Sequence, residues 1–314
     1  ATTDVFSVFD GLFNRTVSAN LGMSYSVSNV LAEAGLANIM RWVPFTIDEQ
    51  TLRNLIKNKM IRPTTIPQTL DELQIEQAIA REALRLALIH HKSLATGLKG
   101  VQQERTISDV FEQQTSGKTL IDMLKLDLIV GSGGILSHAP RRIQSMLMMV
   151  DAYEPMGCTR LSVDSIFMMP HLGVLSTINE KAATDVFVRD CMVYLGTCVA
   201  PIGQGKDGDL CADYEITWPD GKTTKEPLKF GELRLFPLES GKQATIKVQP
   251  AKGVNMGAGA GVAVTKEVHG GVVGLLLDGR GRPLRLPADQ PGRVTALTKW
   301  FNAVGLYPGP SIER

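Results

Sequence analysis

The stretch Leu128-Ile129-Val130-Gly131-Ser132-Gly133-Gly134-Ile135-Leu136 decides the fold, because a short apolar strand runs straight into four small residues. An apolar run of this length bounded by glycine reads as a buried strand, and glycine lets a backbone pass close to something flat or charged. Ser137 has the residue type to cap a helix starting at about His138, with Pro140 in its first turn. The glycines are therefore expected to empty into a helix N-terminus with free amides. Strand, glycine turn and helix would make a nucleotide-binding edge. The same turn also suits a tight strand-to-helix connection, and both readings stand at this point.

Working outward, strand 127–131 and a helix over 138–150 lead to a strand over 159–163, a helix after Asn179 and a strand over 193–200. That is alternating α/β order. Upstream, alternation over 3–9, the turn Asp10-Gly11 and the return over 13–19 predict a hairpin, and 26–33 predicts a helix closed near Gly35. Thr46 with Glu49, and Thr69 with Glu72, fit the capping box ahead of amphipathic runs. Ile75, Ile79, Ala83 and Leu86 recur at helical spacing to about Leu94. Residues 46–115 read as a helical insertion between 1–45 and 116–200. Beyond these, runs at 210–216, 233–236, 245–248, 262–268 and 272–277 predict a β-rich module over 201–287. A last helix over 290–304, with Pro291 in its first turn and Gly305 at its end, leads the tail within 288–314.

The 314 residues leave room for about two domains on the usual length prior. Hydrophobic content of 44% and charged content of 21% describe a soluble globular chain. Thirty-three Lys plus Arg against 32 Asp plus Glu leave a net charge of +1, which gives no pull toward DNA, RNA or anionic lipid. Nucleic-acid and membrane partners are not expected. No run approaches the roughly 18 apolar residues of a membrane span, and Ala1-Thr2-Thr3-Asp4 has neither the basic nor the apolar part of a signal peptide. Cys158, Cys191, Cys198 and Cys211 show no CxxC spacing and read as reduced core thiols of a cytoplasmic protein.

For chemistry, Thr2, Thr3 and Asp4 at the mouth of the hairpin offer two hydroxyls and a carboxylate, the inventory that grips a phosphate and its magnesium. Polar residues also commonly open a strand, and that bland reading stands beside the first. Arg15 and Thr16 on the return strand would add a cation and a hydroxyl, unless Arg15 is simply a surface residue. The glycine-rich run 253–261 leads into a strand rather than a capped helix, so it reads as a wide hairpin connection or a partner loop. Met146, Met148, Met149, Met168 and Met169 read as core filling. His90, His91, His138, His171 and His269 have no metal or triad partner by spacing. GxSxG, HExxH and GxxxxGK[ST] are all absent, which removes the usual markers of nucleophilic hydrolysis, zinc proteolysis and P-loop chemistry. No catalytic residue is assigned.

Ala1-Thr2-Thr3-Asp4-Val5-Phe6-Ser7-Val8 resembles the tail of the D-x-G-G-A-T-T-D-V phosphate motif of actin-like ATPases. It resembles specifically that of the glutamate mutase accessory family called MutL, which is distinct from the mismatch-repair protein of that name. Arg15-Thr16-Val17, then Leu21-Gly22-Met23, resembles that family's next segment, and 128–140, with Ser137-His138-Ala139-Pro140, its adenosine-binding turn. Gly270-Gly271-Val272-Val273-Gly274-Leu275 through Asp278-Gly279-Arg280-Gly281-Arg282-Pro283-Leu284 is similar to its terminal β segment.

The resemblance implies an α/β fold: the second half of an actin-like, ribonuclease H-like ATPase with a helical insertion and a C-terminal all-β module. It implies ATP and Mg2+ as cofactors. Thr2, Thr3 and Asp4 would then face the γ-phosphate and magnesium, with Asp4 as metal ligand. Arg15 would stand nearby, and Gly131, Ser132, Gly133 and Gly134 would cradle adenosine. It implies a chaperone-like ATPase that reactivates an adenosylcobalamin-dependent mutase by exchanging damaged cofactor, with that mutase as client.

The D-x-G-G half of the motif and the first half of the fold are not in the sequence, and Asn20 stands where relatives carry an acidic residue. Hydrolysis is therefore expected only with the N-terminal half supplied, by the same protein or by a partner chain. The missing strand before Ala1 would leave an open sheet edge, which a preceding segment or a partner chain is expected to fill. Two alternatives share the fold: a non-hydrolysing scaffold or assembly subunit, and a small-molecule kinase or hydantoinase-like enzyme.

Overall fold

The expected hairpin opens the chain: β1 (Thr3–Phe9) and β2 (Leu12–Ser18) pair antiparallel from Thr3↔Ser18 to Phe9↔Leu12. Asp10 and Gly11 take φ of 50° and 77°, the positive values a two-residue hairpin turn demands. This computed structural model describes residues 2–96 and 119–308, so the end of the expected helical insertion, 97–115, lies outside the described residues.

α1 (Val27–Ala34) stops at Gly35 and runs into the short α2 (Leu36–Met40). α3 (Glu49–Ile61) and α4 (Leu70–Leu94) follow. The Thr69–Glu72 capping box forms both of its bonds. The Thr46–Glu49 box does not form: Asp48 caps α3 and accepts from the Thr51 amide at 2.8 Å. A carboxylate beside the first turn satisfies the free amides and favours the positive end of the helix dipole.

β3 (Leu128–Gly131) carries the stretch that decides the fold, and here the expected helix is displaced. A single turn, α5 (Gly134–Ser137), follows the glycines at once, and α6 (Arg142–Tyr153) begins only after Pro140. A proline disfavours helical backbone at the residue before it, so the helix cannot run through Ala139. Ser137 closes the first turn rather than capping the second, and its hydroxyl donates to the Asp164 carbonyl.

β4 (Gly157–Asp164), α7 (Met169–Ser176), α8 (Glu180–Val186) and β5 (Met192–Ala200) come next. Asn179 caps α8 as expected, accepting from the Ala182 amide at 3.0 Å. The β-rich part holds β6 (Leu210–Thr217), β7 (Thr223–Lys229), β8 (Leu233–Phe236), β9 (Gln243–Pro250), β10 (Val264–His269) and β11 (Gly274–Asp278). α9 (Gln290–Ala303) starts at Asp289, which accepts from the Gly292 amide, and Gly305 follows it with φ 59°.

The strands form two larger sheets. One runs β3-β4-β5-β11-β8, with β3/β4 and β5/β11 parallel and β4/β5 and β11/β8 antiparallel. The other, β10-β9-β6-β7, is antiparallel throughout. The β-rich stretch therefore does not close on itself: β8 and β11 leave it to finish the sheet that β3 begins.

Side-chain alternation turns the mixed sheet into the middle layer of three. From β5, Cys198 and Ala200 join the core under the helices while Val199 joins the core against the second sheet. β11 does the same with Leu276 on one side and Leu275 and Leu277 on the other. Where β5 meets β11, Gly196 and Gly274 let the backbones close up: a Cβ on Gly196 would collide with the Gly274 carbonyl. All four cysteines are unpaired, and burial pushes the Cys158 thiol up to about 11 and that of Cys211 up to about 12.

α4 runs through the helical layer and carries buried charge. Its Arg81 reaches Asp151 on α6 at 2.7 Å, Arg280 bridges Asp151 and Asp278 at 2.8 Å each, and Arg282 closes on Asp278 at 2.8 Å. This network ties α4, α6 and the end of β11 into one body. No helix of the described residues is long and apolar enough to cross a membrane.

Candidate functional site

A cleft of about 1620 Å³ opens between the hairpin, α4 with the loop before it, and the turn after β3. Thr2, Thr3, Asp4 and Arg15 line it from the hairpin, and Gly131, Ser132, Gly133 and Gly134 from the glycine turn. Every site residue expected from the sequence thus borders one space, although more than a hundred residues separate the two groups.

At the hairpin, the Thr3 hydroxyl donates to the Leu21 carbonyl at 2.6 Å, which fixes the strand start against the chain leaving β2. Arg15, opposite Phe6 in the ladder, donates to Asp4 Oδ2 at 2.9 Å and lies over the Phe6 ring at 5.3 Å. Asp4 Oδ1 is buried and has no hydrogen-bond partner among the described residues. Such an oxygen normally finds a donor or a cation, so it is an acceptor waiting for one.

The donor set suits magnesium carried on a phosphate, which keeps its waters and needs one or two carboxylates from the protein. Asp4, with the hydroxyls of Thr2 and Thr3 nearby, supplies that much. Among the described residues no group of three His, Cys, Asp or Glu could hold a metal by itself.

At the glycine turn the four small residues have different jobs. A Cβ at Gly131 would strike the Met149 sulfur and Leu136, so this glycine serves the packing of β3 on α6. Gly133 has φ 95°, which side-chain-bearing residues rarely adopt. A Cβ on Gly134 would meet nothing within 4 Å. Ser132 donates to Asp164 Oδ2 at 3.2 Å.

Asp164, fully buried at the end of β4, also accepts from the amides of Ile166, Met168 and Met169 at 3.3, 3.2 and 3.0 Å. It therefore locks the glycine turn to the 165–169 turn, whose Phe167 and Met169 edge the cleft. Sequence reasoning passed over Asp164. Its one local signal is an aspartate closing a strand a few residues ahead of a helix with Pro170 in its first turn.

The third wall is α4. His91, for which the spacing offers no metal or triad partner, is buried with Nδ1 2.9 Å from Thr16 Oγ1 and Nε2 2.7 Å from Ser7 Oγ. Both hydroxyls lie on the hairpin face turned toward α4, so this imidazole pins the hairpin to the helix.

Burial pushes the His91 pKa below its ordinary value. With the folded value depressed, the undocked imidazole takes up protons first, and docking strength present above about 6.5 falls away as pH drops through that range. Hydrogen exchange of the β1 and β2 amides, corrected for intrinsic rates, is expected to accelerate between pH 7.5 and 5.5. His91→Gln should remove that pH dependence; an unchanged dependence in the variant would refute the role.

Elsewhere, the 253–261 run behaves as the expected hairpin connection, joining β9 to β10, with Asn255 Oδ1 accepting from the amides of Gly257 and Gly259. Met146, Met148 and Met149 are fully buried in the main core. Met168 and Met169 are not: Met168 packs on a side cluster with Leu172, Ala183 and Cys191, and Met169 edges the cleft. Met168 thus fills a side cluster instead of the main core, and Met169, half-buried at the cleft border, departs from the core filling expected of it.

No curated protein and no solved structure matches the chain. A family match reaches from the hairpin through α4 and the glycine turn to just past α8, which takes in every wall of the cleft. On that match, covering residues 1–191, the chain belongs to the family described as MutL protein.

Proposed function

We propose that the cleft is the nucleotide half-site of an actin-like, chaperone-type ATPase that reactivates an adenosylcobalamin-dependent mutase such as glutamate mutase. The observation that carries this reading is the shared cleft: hydroxyls and a carboxylate at one border, and a backbone stripped of side chains at another. Thr2, Thr3 and Asp4 take the γ-phosphate and its magnesium, Arg15 supplies a cation, and Gly131 to Gly134 let the adenosine lie against backbone. Magnesium, when bound, neutralises phosphate charge.

The hydroxyls orient the phosphate while the buried Asp164 holds the turn that seats the nucleoside. Closure of a second lobe over the nucleotide, supplied by the N-terminal half of such a fold or by a partner chain, would do work on the client and let damaged cofactor leave. Four unpaired thiols suit a reducing, cytoplasmic setting.

The test is to combine the chain with the complementing lobe and measure ATP binding by calorimetry, ATP turnover, and recovery of a cofactor-damaged glutamate mutase given fresh adenosylcobalamin. Binding, turnover and recovery are expected together. Absence of nucleotide binding in the complex would refute the site. Binding without turnover would favour a scaffold on the same fold, a reading that the Arg15–Asp4 pair supports because it occupies one of the metal-facing oxygens.

A further inference from the structure

We propose that Phe167 is the platform on which the nucleobase stacks, beside the glycine turn. This rests on the nucleotide reading of the cleft and names the residue that grips the base. Phe167 has φ 58°, in the left-handed region that a bulky side chain rarely enters. Among the described residues two other non-glycine positions share a positive φ, and local structure accounts for both: Asp10 sits in the hairpin turn and Glu154 ends α6. Phe167 has no such duty. It precedes α7, at a place where glycine or asparagine would carry the same φ with less strain.

The turn is held in that shape on both sides of the ring. Asp164 accepts from the amides of Ile166, Met168 and Met169, while the Ser165 amide and hydroxyl each donate to the Cys191 carbonyl at 2.9 Å. Strain survives where the surroundings over-determine it, and ligand clamps are among such places. What the strain presents here is an aromatic face: Phe167 is 53% exposed, lines the cleft and belongs to none of the apolar clusters of the described residues. Because Ser132 donates to the same Asp164 carboxylate, the turn of Phe167 and the glycine turn stand side by side on the cleft. Bare backbone next to an exposed ring suits a flat aromatic ligand held through its π face. Ile135, Met169 and Pro170 add apolar lining, which serves a base and not a triphosphate.

The test combines the chain with its complementing lobe and titrates it with magnesium ATP and, separately, with magnesium tripolyphosphate, which lacks a base. Phe167→Asn relieves the backbone and removes the ring. It is expected to weaken ATP binding by about tenfold or more, to leave tripolyphosphate binding unchanged, and to melt no lower than the parent. Phe167→Trp is expected to bind ATP at least as tightly as the parent, with indole fluorescence quenched by ATP and not by tripolyphosphate, beyond any change the parent shows.

Unchanged ATP affinity in Phe167→Asn, or an unquenched Phe167→Trp signal, overturns the stacking role while the nucleotide reading stands. No ATP binding by the parent complex overturns both. Parallel loss of ATP and tripolyphosphate affinity with a lowered melting temperature assigns the ring to turn structure and refutes the proposal. If Phe167→Asn binds ATP as the parent does but no longer associates with the complementing lobe, the ring, with Ile166 beside it 55% exposed, is a protein contact and the base lies elsewhere.

Discussion

Gly134→Val is expected to leave the fold intact while weakening ATP binding of the assembled protein by about 100-fold, some 2.7 kcal/mol. The position separates ligand contact from stability in a way its neighbours cannot. A side chain on Gly131 would press on Met149 and Leu136, and Gly133 would be strained at φ 95° whatever the space around it. Substitutions there confuse a lost site with a damaged core. Gly134 begins α5, its φ lies outside the left-handed region, and an added Cβ meets open space.

A branched side chain at that point costs the empty protein little and stands where a nucleoside would approach the backbone. Calorimetric titration with ATP, beside thermal melting of the unliganded variant, gives both readings. A melting temperature within about 2 °C of the parent, with lost affinity, supports the glycine turn as a ligand surface. Unchanged affinity at unchanged melting temperature would show that the nucleotide sits elsewhere.

The elements legible in the sequence are those that local rules specify. The Asp10-Gly11 hairpin needs two positive φ values, and its residues supply them. α4 announces itself by a capping box and a helical repeat, and α9 by a proline at its start and a glycine beyond its end. What escaped was written in long-range contacts. β7 is an edge strand with a proline in it, its residues mostly exposed, so it lacks the alternation by which strands are found. The order of the mixed sheet is equally silent, because nothing local says that β11 will slip between β5 and β8.

The two borders of the cleft were each readable, and so was their convergence once the resemblance supplied a frame. The atoms that hold them were not. Asp164 gathers Ser132 and three amides, and His91 finds Ser7 and Thr16 across 84 and 75 positions of chain. A lone histidine in a helix carries no sign of such partners, since its hydroxyl donors and acceptors lie on a different element.

Asp278→Ala should produce the largest loss of stability, about 3–5 kcal/mol, because it breaks a buried ion network by removing one partner. The network sets three cations, Arg81, Arg280 and Arg282, against two anions, Asp151 and Asp278, with Asp278, Arg280 and Arg282 carrying fully buried charged ends. Burial alone would raise the Asp278 pKa, yet Arg280 and Arg282 beside it hold the carboxyl well below the ordinary carboxylate range. Its contribution is therefore complete above about pH 3.9 and is lost only as pH falls below that value.

Without Asp278, Arg280 keeps Asp151, while Arg282 retains only the carbonyls of Pro155 and Gly281. A second uncompensated positive charge is then left in a dry interior. The network also joins what the family match separates: Asp151 and Arg81 lie within residues 1–191, whereas Asp278, Arg280 and Arg282 lie beyond them. Loss of Asp278 should thus loosen β11 from α6 and α4 together, so that urea unfolding remains a single transition at lower midpoint. A cost under about 1 kcal/mol would mean that the surrounding dipoles and aromatic faces, Trp300 over Arg280 among them, already carry the charge.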